Sequence, residues 1–323
     1  MHPPSPRSQG PQRPPRSHRF LANGLSQHVL EWSADPAAGG GVDGGQGGAL
    51  ATALLLHGYM DAAGTFDLLA PSLTEAGLRV LAPDMRGFGA GPKAPPGSYY
   101  HFPDYVADVA AIVREAVPAG APLFVVGHSM GGTIASLFTG TFPERVTKLA
   151  ILEGSGPPDN PFNVAPARMR RWIDQVTELS ARGGGGGANA PASRPTLALD
   201  EARRRLLANH TRIDRGVLET RLLHLLEEVS PGRFVFSFDP LHKTVAPMPF
   251  FAAAYREFAS AVTCPVLSVS GGPEGFHTPD EAERLAAFAH LTEEEMPTAG
   301  HMMHWTQPDA LGEILTRFWN AGP

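Results

Sequence analysis

The sequence predicts an α/β protein in which a mostly parallel, doubly wound sheet is interrupted by an inserted helical segment. Three observations carry that prediction. Short apolar runs alternate with helix-period segments from residue 50 to about 154; one of these runs passes directly into the glycine-flanked serine of "FVVGHSMGGTIASLF"; and the alternation resumes near residue 263 after a long block of helical periodicity.

The elements follow in order. "MHPPSPRSQGPQRPPRSHR" is basic and proline-rich with no apolar core behind it, which argues against a secretory signal and predicts a disordered tail over residues 1–18. Its prolines would suit a polyproline-binding partner on composition alone. "FLANGLSQHVLEW" reads as two short strands joined by Asn23-Gly24, a hairpin turn signal. "DPAAGGGVDGGQGG" is a flexible loop with nothing to bury. "ALATALLLHG" is an apolar strand of the kind buried on both faces, followed by a helical stretch over about 66–77. "LRVLAPD", "LFVVGHS" and "VTKLAILEGSG" continue the strands, and "FPDYVADVAAIVREAV" is a helix between the first two.

Helical segments then dominate, among them "ARMRRWIDQVTELSA" and "LDEARRRLLANHTRIDRGVLETRLLHLLEEV", separated by the glycine run 183–187. No strand leads into that run and no lysine follows it, so it is a connector rather than a phosphate loop. "CPVLSVSGG" is again a strand, "PDEAERLAAFAH" a helix, "LTEEEMP" an edge strand and "PDALGEILTRFW" a closing helix. The expected organisation is a tail (1–18), a first core part (19–154), a helical cap insertion (155–262) and a second core part (263–323).

Composition removes several classes of function. A formal net charge of −6, with no basic stripe, excludes a nucleic-acid footprint. No apolar run approaches the roughly 20 residues that span a bilayer, so no membrane insertion is expected. Cys264 is the single cysteine, which rules out an intrachain disulfide and fits a cytoplasmic location; placed before Pro265, it reads as a small buried hydrophobe. The partner expected is a small-molecule substrate, and the protein is expected to be a monomer or homodimer.

Chemistry concentrates at Ser129. Gly127 and Gly131 flank it two residues on either side, giving G-x-S-x-G where an apolar strand turns sharply into a helix. Such a turn exposes the hydroxyl at a helix N-terminus, where free N–H groups favour developing negative charge. The plain alternative is a helix cap flanked by turn glycines. A serine nucleophile needs an imidazole to take its proton and an acid to orient that imidazole, in the chain order serine, acid, histidine. His301, in the loop "TAGHMMHWTQPDAL", is the candidate base, with His304 as its nearest rival. The i, i+3 spacing of the two also resembles half a metal site, but no Asp, Glu or Cys cluster stands beside them, so no metal is expected. For the acid, Glu153 ends the strand "LAILE" and Glu274 follows "VLSVSGG"; Glu153 is preferred, because an acid ending a buried strand needs a partner. The backbone amides of Met130 and Tyr59 are the candidate oxyanion donors. His57, Gly58 and Trp172 are candidate substrate contacts.

From about residue 18 onward the chain resembles the alpha/beta-hydrolase superfamily, on "LLLHGYMDAAGTFDLLAPSL", "VLAPDMRGFGAG", "VVGHSMGGTIASLFTGTFPERVTKLAILEG" and "AGHMMHWTQPDAL". "GTFDLLAPSL" and "FTGTFPERV" look like serine-hydrolase-like members with a helical cap. The resemblance implies the alpha/beta-hydrolase fold, Ser129 as nucleophile, His301 as general base, the Tyr59 and Met130 amides as oxyanion hole and no cofactor. It also implies that Asp84 shapes a loop beside the site. In the family the acid commonly follows the strand where Glu274 lies, usually as Asp, and in a minority follows the preceding strand, where Glu153 lies; neither position is Asp here. A family-like cap would roof the site, with Trp172 and "FVFSFDPLHKTVAPMPFF" as lining and His242 and Lys243 near a polar substrate group.

The implied activity is hydrolysis of a small ester or related acyl substrate through an acyl-enzyme. Carbon–carbon bond hydrolysis, lactone opening, acyl transfer and cofactor-free peroxidation use the same residues, and a weakly catalytic ligand-binding protein is the rival from another class. Ser129 argues against epoxide hydrolysis and haloalkane dehalogenation, which need an acid at the nucleophile position.

Overall fold

Two positive backbone angles, φ 52° at Asn23 and φ 69° at Gly24, reverse the chain between β1 (Arg16–Ala22) and β2 (Leu25–Trp32), as a two-residue hairpin turn requires. The computed structural model describes residues 14–33, 50–181 and 195–322. Most of the expected tail, the whole glycine-rich loop "DPAAGGGVDGGQGG" and the run 183–187 lie outside those residues. β1 begins inside the expected tail: Arg16, Ser17 and His18 pair with Glu31, Leu30 and Val29, because the hairpin register extends past the apolar residues that mark the strand in sequence.

The remaining sheet is assembled from β3 (Thr52–Leu56), β4 (Arg79–Asp84), β5 (Leu123–His128), β6 (Lys148–Leu152), β9 (Val266–Ser270) and β10 (Leu291–Glu295). Its order is β1-β2-β4-β3-β5-β6-β9-β10, parallel from β4 to β10 and antiparallel at the β1–β2–β4 end. Alternation along the central strands explains their unbroken apolar runs. Leu54, Leu56, Leu123 and Val125 face one hydrophobic layer, while Ala53, Leu55, Phe124 and Val126 face the other. The first layer is closed by α2 (Phe102–Ala116) and α3 (Met130–Thr141), and the second by α1 (Ala70–Glu75) and α10 (Pro308–Asn320).

Between β6 and β9 the chain leaves the sheet. It forms α4 (Ala165–Ala181), α5 (Leu199–Asn209), α6 (Arg215–Leu222), a hairpin of β7 (Leu226–Ser230) and β8 (Arg233–Phe236), and α7 (Ala252–Ser260). Two expectations change here. The long helix-period segment over 199–229 breaks at Asp214, whose carboxylate caps α6 by accepting from Gly216 and Val217, and its last residues become β7. Leu and Glu favour helix, but propensity is a weak determinant that pairing overrides, and the Pro231-Gly232 turn, with Gly232 at φ 71°, commits "LEEVS" to pair with β8. α7, expected in the insertion, belongs to the core: Tyr255 and Ala259 join the first layer, and the Tyr255 hydroxyl donates to Ser136 Oγ on α3 at 3.0 Å.

α8 (Glu281–Leu285) and the short α9 (Met303–Thr306) complete the second core part.

Candidate active site

The turn at Ser129 is built by close approach. A Cβ on Gly127 would lie 2.3 Å from the Gly131 carbonyl oxygen, and one on Gly131 would lie 2.1 Å from that of Leu56, so neither position admits a side chain. Ser129 itself sits at φ 53°, ψ −118°, a strained conformation for a residue with a side chain, and the ladder holds it there: its amide donates to the Leu152 carbonyl at 2.9 Å. α3 begins at the next residue, so its unpaired N-terminal amides lie beside the Ser129 hydroxyl.

Two side chains from distant segments reach this hydroxyl in sequence. His301, in the loop after β10, places Nε2 3.1 Å from Ser129 Oγ and Nδ1 2.9 Å from Glu153 Oε2. Glu153 directly follows β6, at φ 51° with its side chain 1% exposed. Its carboxylate also accepts the amides of Gly271 and Phe276. Burial raises its pKa, but the His301 hydrogen bond and those two amides outweigh burial and hold it below the usual carboxylate range. A charged acceptor there favours the His301 tautomer with hydrogen on Nδ1, leaving an Nε2 lone pair facing the serine hydroxyl.

Glu274 is not brought to His301. It is half-exposed and pairs with Arg212 of the insertion. The loop after β9 therefore contributes amides that hold Glu153 rather than an acid of its own. Phe276 is the residue that sequence reasoning missed in this loop; its ring, 44% exposed, stands 5.8 Å from the His301 ring. Its signal in sequence was its place two residues after Glu274.

Gly58 is where the loop after β3 meets the elbow. A Cβ there would lie 2.8 Å from His128 Nδ1 and 3.2 Å from Ser129 Cβ, so the loop that carries Tyr59 passes close to the elbow, where Met130 takes the first position of α3. The Tyr59 side chain turns outward and its hydroxyl donates to the His242 carbonyl.

The expected substrate contact by the His57 side chain does not hold. The ring is fully buried: its Nε2 accepts the Met85 amide at 3.0 Å and its Nδ1 donates to the Gly58 carbonyl at 2.8 Å, so it shapes the loop. Trp172 lies on α4 and packs T-shaped against Tyr99, with ring centroids 4.7 Å apart. His242 is partly buried, stacked on Phe88 and Tyr100 at 3.9 and 4.1 Å, and burial pushes it down to about 3, so it stays neutral. Asp84 accepts the amides of Ala63 and Ala90 at 2.8 and 2.9 Å and pairs with His28 at 2.7 Å, all of which organise loops.

The insertion is latched over these loops by polar contacts. Buried Arg221 grips the Asp67 carboxylate and the Thr65 carbonyl, His224 adds a 3.0 Å contact to Asp67, and the Asp239 amide donates to Gly87 at 2.7 Å. A cavity of about 670 Å³ opens between the loop after β4 and the β7–β8 hairpin. Ser129 does not line it, and its charged residues are engaged: Arg19 with the Ala90 carbonyl, Lys93 with Glu227.

Among the described residues, one group of metal-capable side chains comes together: Asp61, His128 and His304, with ligand atoms within 4.8 Å of one another. Both oxygens of the Asp61 carboxylate are already engaged. Oδ1 accepts the Ala62 amide and the Thr65 hydroxyl at 2.8 and 2.7 Å, and Oδ2 accepts from His304 Nε2 at 3.0 Å. Burial, ahead of all other influences, pushes His304 down and His128 well down, which favours the neutral rings; burial pushes Asp61 up, but the hydrogen bonds from His304 and Thr65 help to outweigh it and hold Asp61 below the usual carboxylate range. No described helix is long and apolar enough to cross a membrane.

Comparison with known proteins agrees with this architecture. Residues 53–183 match the family described as alpha/beta hydrolase fold. A serine hydrolase-like protein of Danio rerio is 41% identical over 103 residues, 32% of this chain and 31% of that protein. A probable serine hydrolase of Drosophila melanogaster is 27% identical over 278 residues, 82% of this chain and 80% of that one. The match thus spans less than a third of the Danio rerio relative and most of the Drosophila one. A solved structure of a hypothetical protein from Pseudomonas aeruginosa PAO1 superposes with a TM-score of 0.75 at 22% identity, covering 94% of this chain and 99% of that one.

Proposed function

We propose that this chain, whose residues 53–183 match the alpha/beta hydrolase fold family, is a serine hydrolase acting on a small ester or related acyl substrate through an acyl-enzyme. The observation that carries this reading is the relay from Glu153 through His301 to Ser129, with contacts of 2.9 and 3.1 Å. In the first half-reaction Ser129 Oγ attacks the acyl carbonyl and its proton passes to His301 Nε2. The Glu153 carboxylate stabilises the imidazolium. The Met130 and Tyr59 amides receive the oxyanion, and preorganised donors of this kind contribute about 10²–10³ in rate each. Collapse of the tetrahedral intermediate expels the leaving group, which takes the proton from His301. Water then repeats the sequence on the acyl-serine, and the acid product departs.

The apolar face offered by Phe276 beside His301 supports an acyl or leaving group with hydrocarbon character. The polar latches of the insertion over the loops favour a small substrate that enters whole. The test is labelling with a fluorophosphonate probe together with hydrolysis of p-nitrophenyl acetate. The expected result is rapid labelling and turnover by the wild type, both abolished in a folded Ser129→Ala protein. A folded wild type that neither labels nor turns over would overturn the reading.

A further inference from the structure

The proposed reaction needs three segments far apart in sequence to meet within an ångström or so: the loop after β3 with the Tyr59 amide, the elbow with Ser129, and the loop after β10 with His301. His301 lies in an irregular loop with its side chain about a third exposed. Something beneath the reacting surface must hold it.

We propose that Asp61, His304 and His128 form a buried brace that sets the spacing between the oxyanion amides, Ser129 and His301, and are positioning residues for acyl transfer; this rests on the role given above to Ser129, His301 and Glu153. Each member ties two segments together. Asp61 lies two residues after Tyr59, and its amide donates back to the Gly58 carbonyl at 3.3 Å. Its Oδ2 accepts from Nε2 of His304, three residues after His301, at 3.0 Å, with the two side chains 1% and 0% exposed. His128, immediately before Ser129, donates Nε2–H to the His301 carbonyl at 2.8 Å. The His128 and His304 rings stand 4.4 Å apart, so the three ties converge.

The chemical choice supports positioning over stability. A buried carboxylate–imidazole contact costs desolvation that an apolar pair of similar volume avoids, so it adds little to the folding free energy. What it adds is direction: a hydrogen bond fixes angle and distance where hydrocarbon packing permits sliding. Catalysis is sensitive on that scale, since a misplacement of about 1 Å costs on the order of 10²-fold in rate. The same argument explains a histidine three residues after the base that has no reacting partner of its own.

The experiment uses the full chain and replaces both polar partners by hydrocarbon, as Asp61→Leu with His304→Leu, which removes the tie without leaving a buried charge unpaired. The expected result is a melting temperature near that of wild type, with kcat for p-nitrophenyl acetate and the fluorophosphonate labelling rate both lower by about 10²-fold and KM little changed. His304→Gln, which keeps an N–H donor, is expected to recover most of the rate. Should the double variant fail to fold, His128→Phe tests the third tie by keeping a ring while removing the donor to the His301 carbonyl; a fall in kcat of about tenfold or more at unchanged KM is expected. A folded double variant, or in its absence a folded His128→Phe, reacting at the wild-type rate overturns the brace while leaving the hydrolase reading intact. An unreactive wild type, or a Ser129→Ala protein as active as wild type, overturns both.

Discussion

The strand ends that carry Ser129 and Glu153 and the insertion above them are held by opposite means. At the strand ends the backbone is committed: Ser129 and Glu153 both sit at positive φ, each with its amide in the ladder to the neighbouring strand, and the acid is gripped by two further amides. The insertion packs a small apolar cluster around Leu206, Leu218 and Leu222 onto Ala62 and Trp305 of the sheet domain, buries no residue of α4, and adds side-chain latches such as Arg221 to Asp67. The difference teaches where precision resides. Ser129 and Glu153 are placed by backbone geometry, which tolerates little local change. The roof is placed by contacts that can be altered one at a time, so mutations there should act on access and stability before they act on the chemical step.

That contrast can be broken most severely at Ser129. Ser129→Ala is expected to lower kcat by about 10⁶-fold while the melting temperature stays within a few degrees, because the elbow is held by glycines and ladder bonds rather than by the hydroxyl. Glu153→Gln should follow with a loss of about 10⁴-fold in kcat, since an amide no longer enforces the Nδ1–H tautomer of His301. Steady-state kinetics on the purified variants check both, and a Glu153→Gln enzyme within tenfold of wild type would remove Glu153 from the relay.

Arg221→Leu sharpens the other side of the comparison. It should destabilise by about 2–3 kcal/mol, less than a fully buried pair because Asp67 keeps some solvent and its His224 contact. Its effect on turnover should appear in KM rather than kcat; denaturant melts and kinetics separate the two, and a kcat effect larger than the KM effect would contradict the division of labour. Glu274→Gln should be the mildest, within about twofold of wild type in kcat, because an exposed pair with Arg212 contributes little.

The buried groups also set a direction for pH. His128 and His304 have folded pKa values below their ordinary ones, so the unfolded chain binds protons there that the folded chain does not. Their contribution is complete above the unfolded histidine value, about 6.5, and is lost as pH falls below it. The lowered carboxyls of Glu153, Asp61 and Asp84 act in the same sense from about pH 4 downward. Melting temperature against pH should therefore begin to decline below about 6.5; a flat curve down to pH 5 would contradict neutral, buried imidazoles.

The sequence by itself determined the parts of this protein whose physics is local. Ser129 between Gly127 and Gly131, the Asn23-Gly24 hairpin and the alternation of two-faced apolar strands with helices are legible because each depends on backbone freedom or periodicity over a few residues. His301 was legible at one remove, through chain order and its place after the last strand. What tertiary structure alone decided is every matter of which distant residue faces which. Glu153 and Glu274 both follow strands of the sheet, and only the packing of the loop after β9 puts two amides and His301 on the first and solvent around the second. His57 looked like a substrate contact until the Met85 amide filled its lone pair, and "LEEVS" looked helical until β8 gave it a partner. The reason is common to all of them: burial and pairing are properties of segments dozens of residues apart, and a single sequence carries no local mark of the partner that folding will supply.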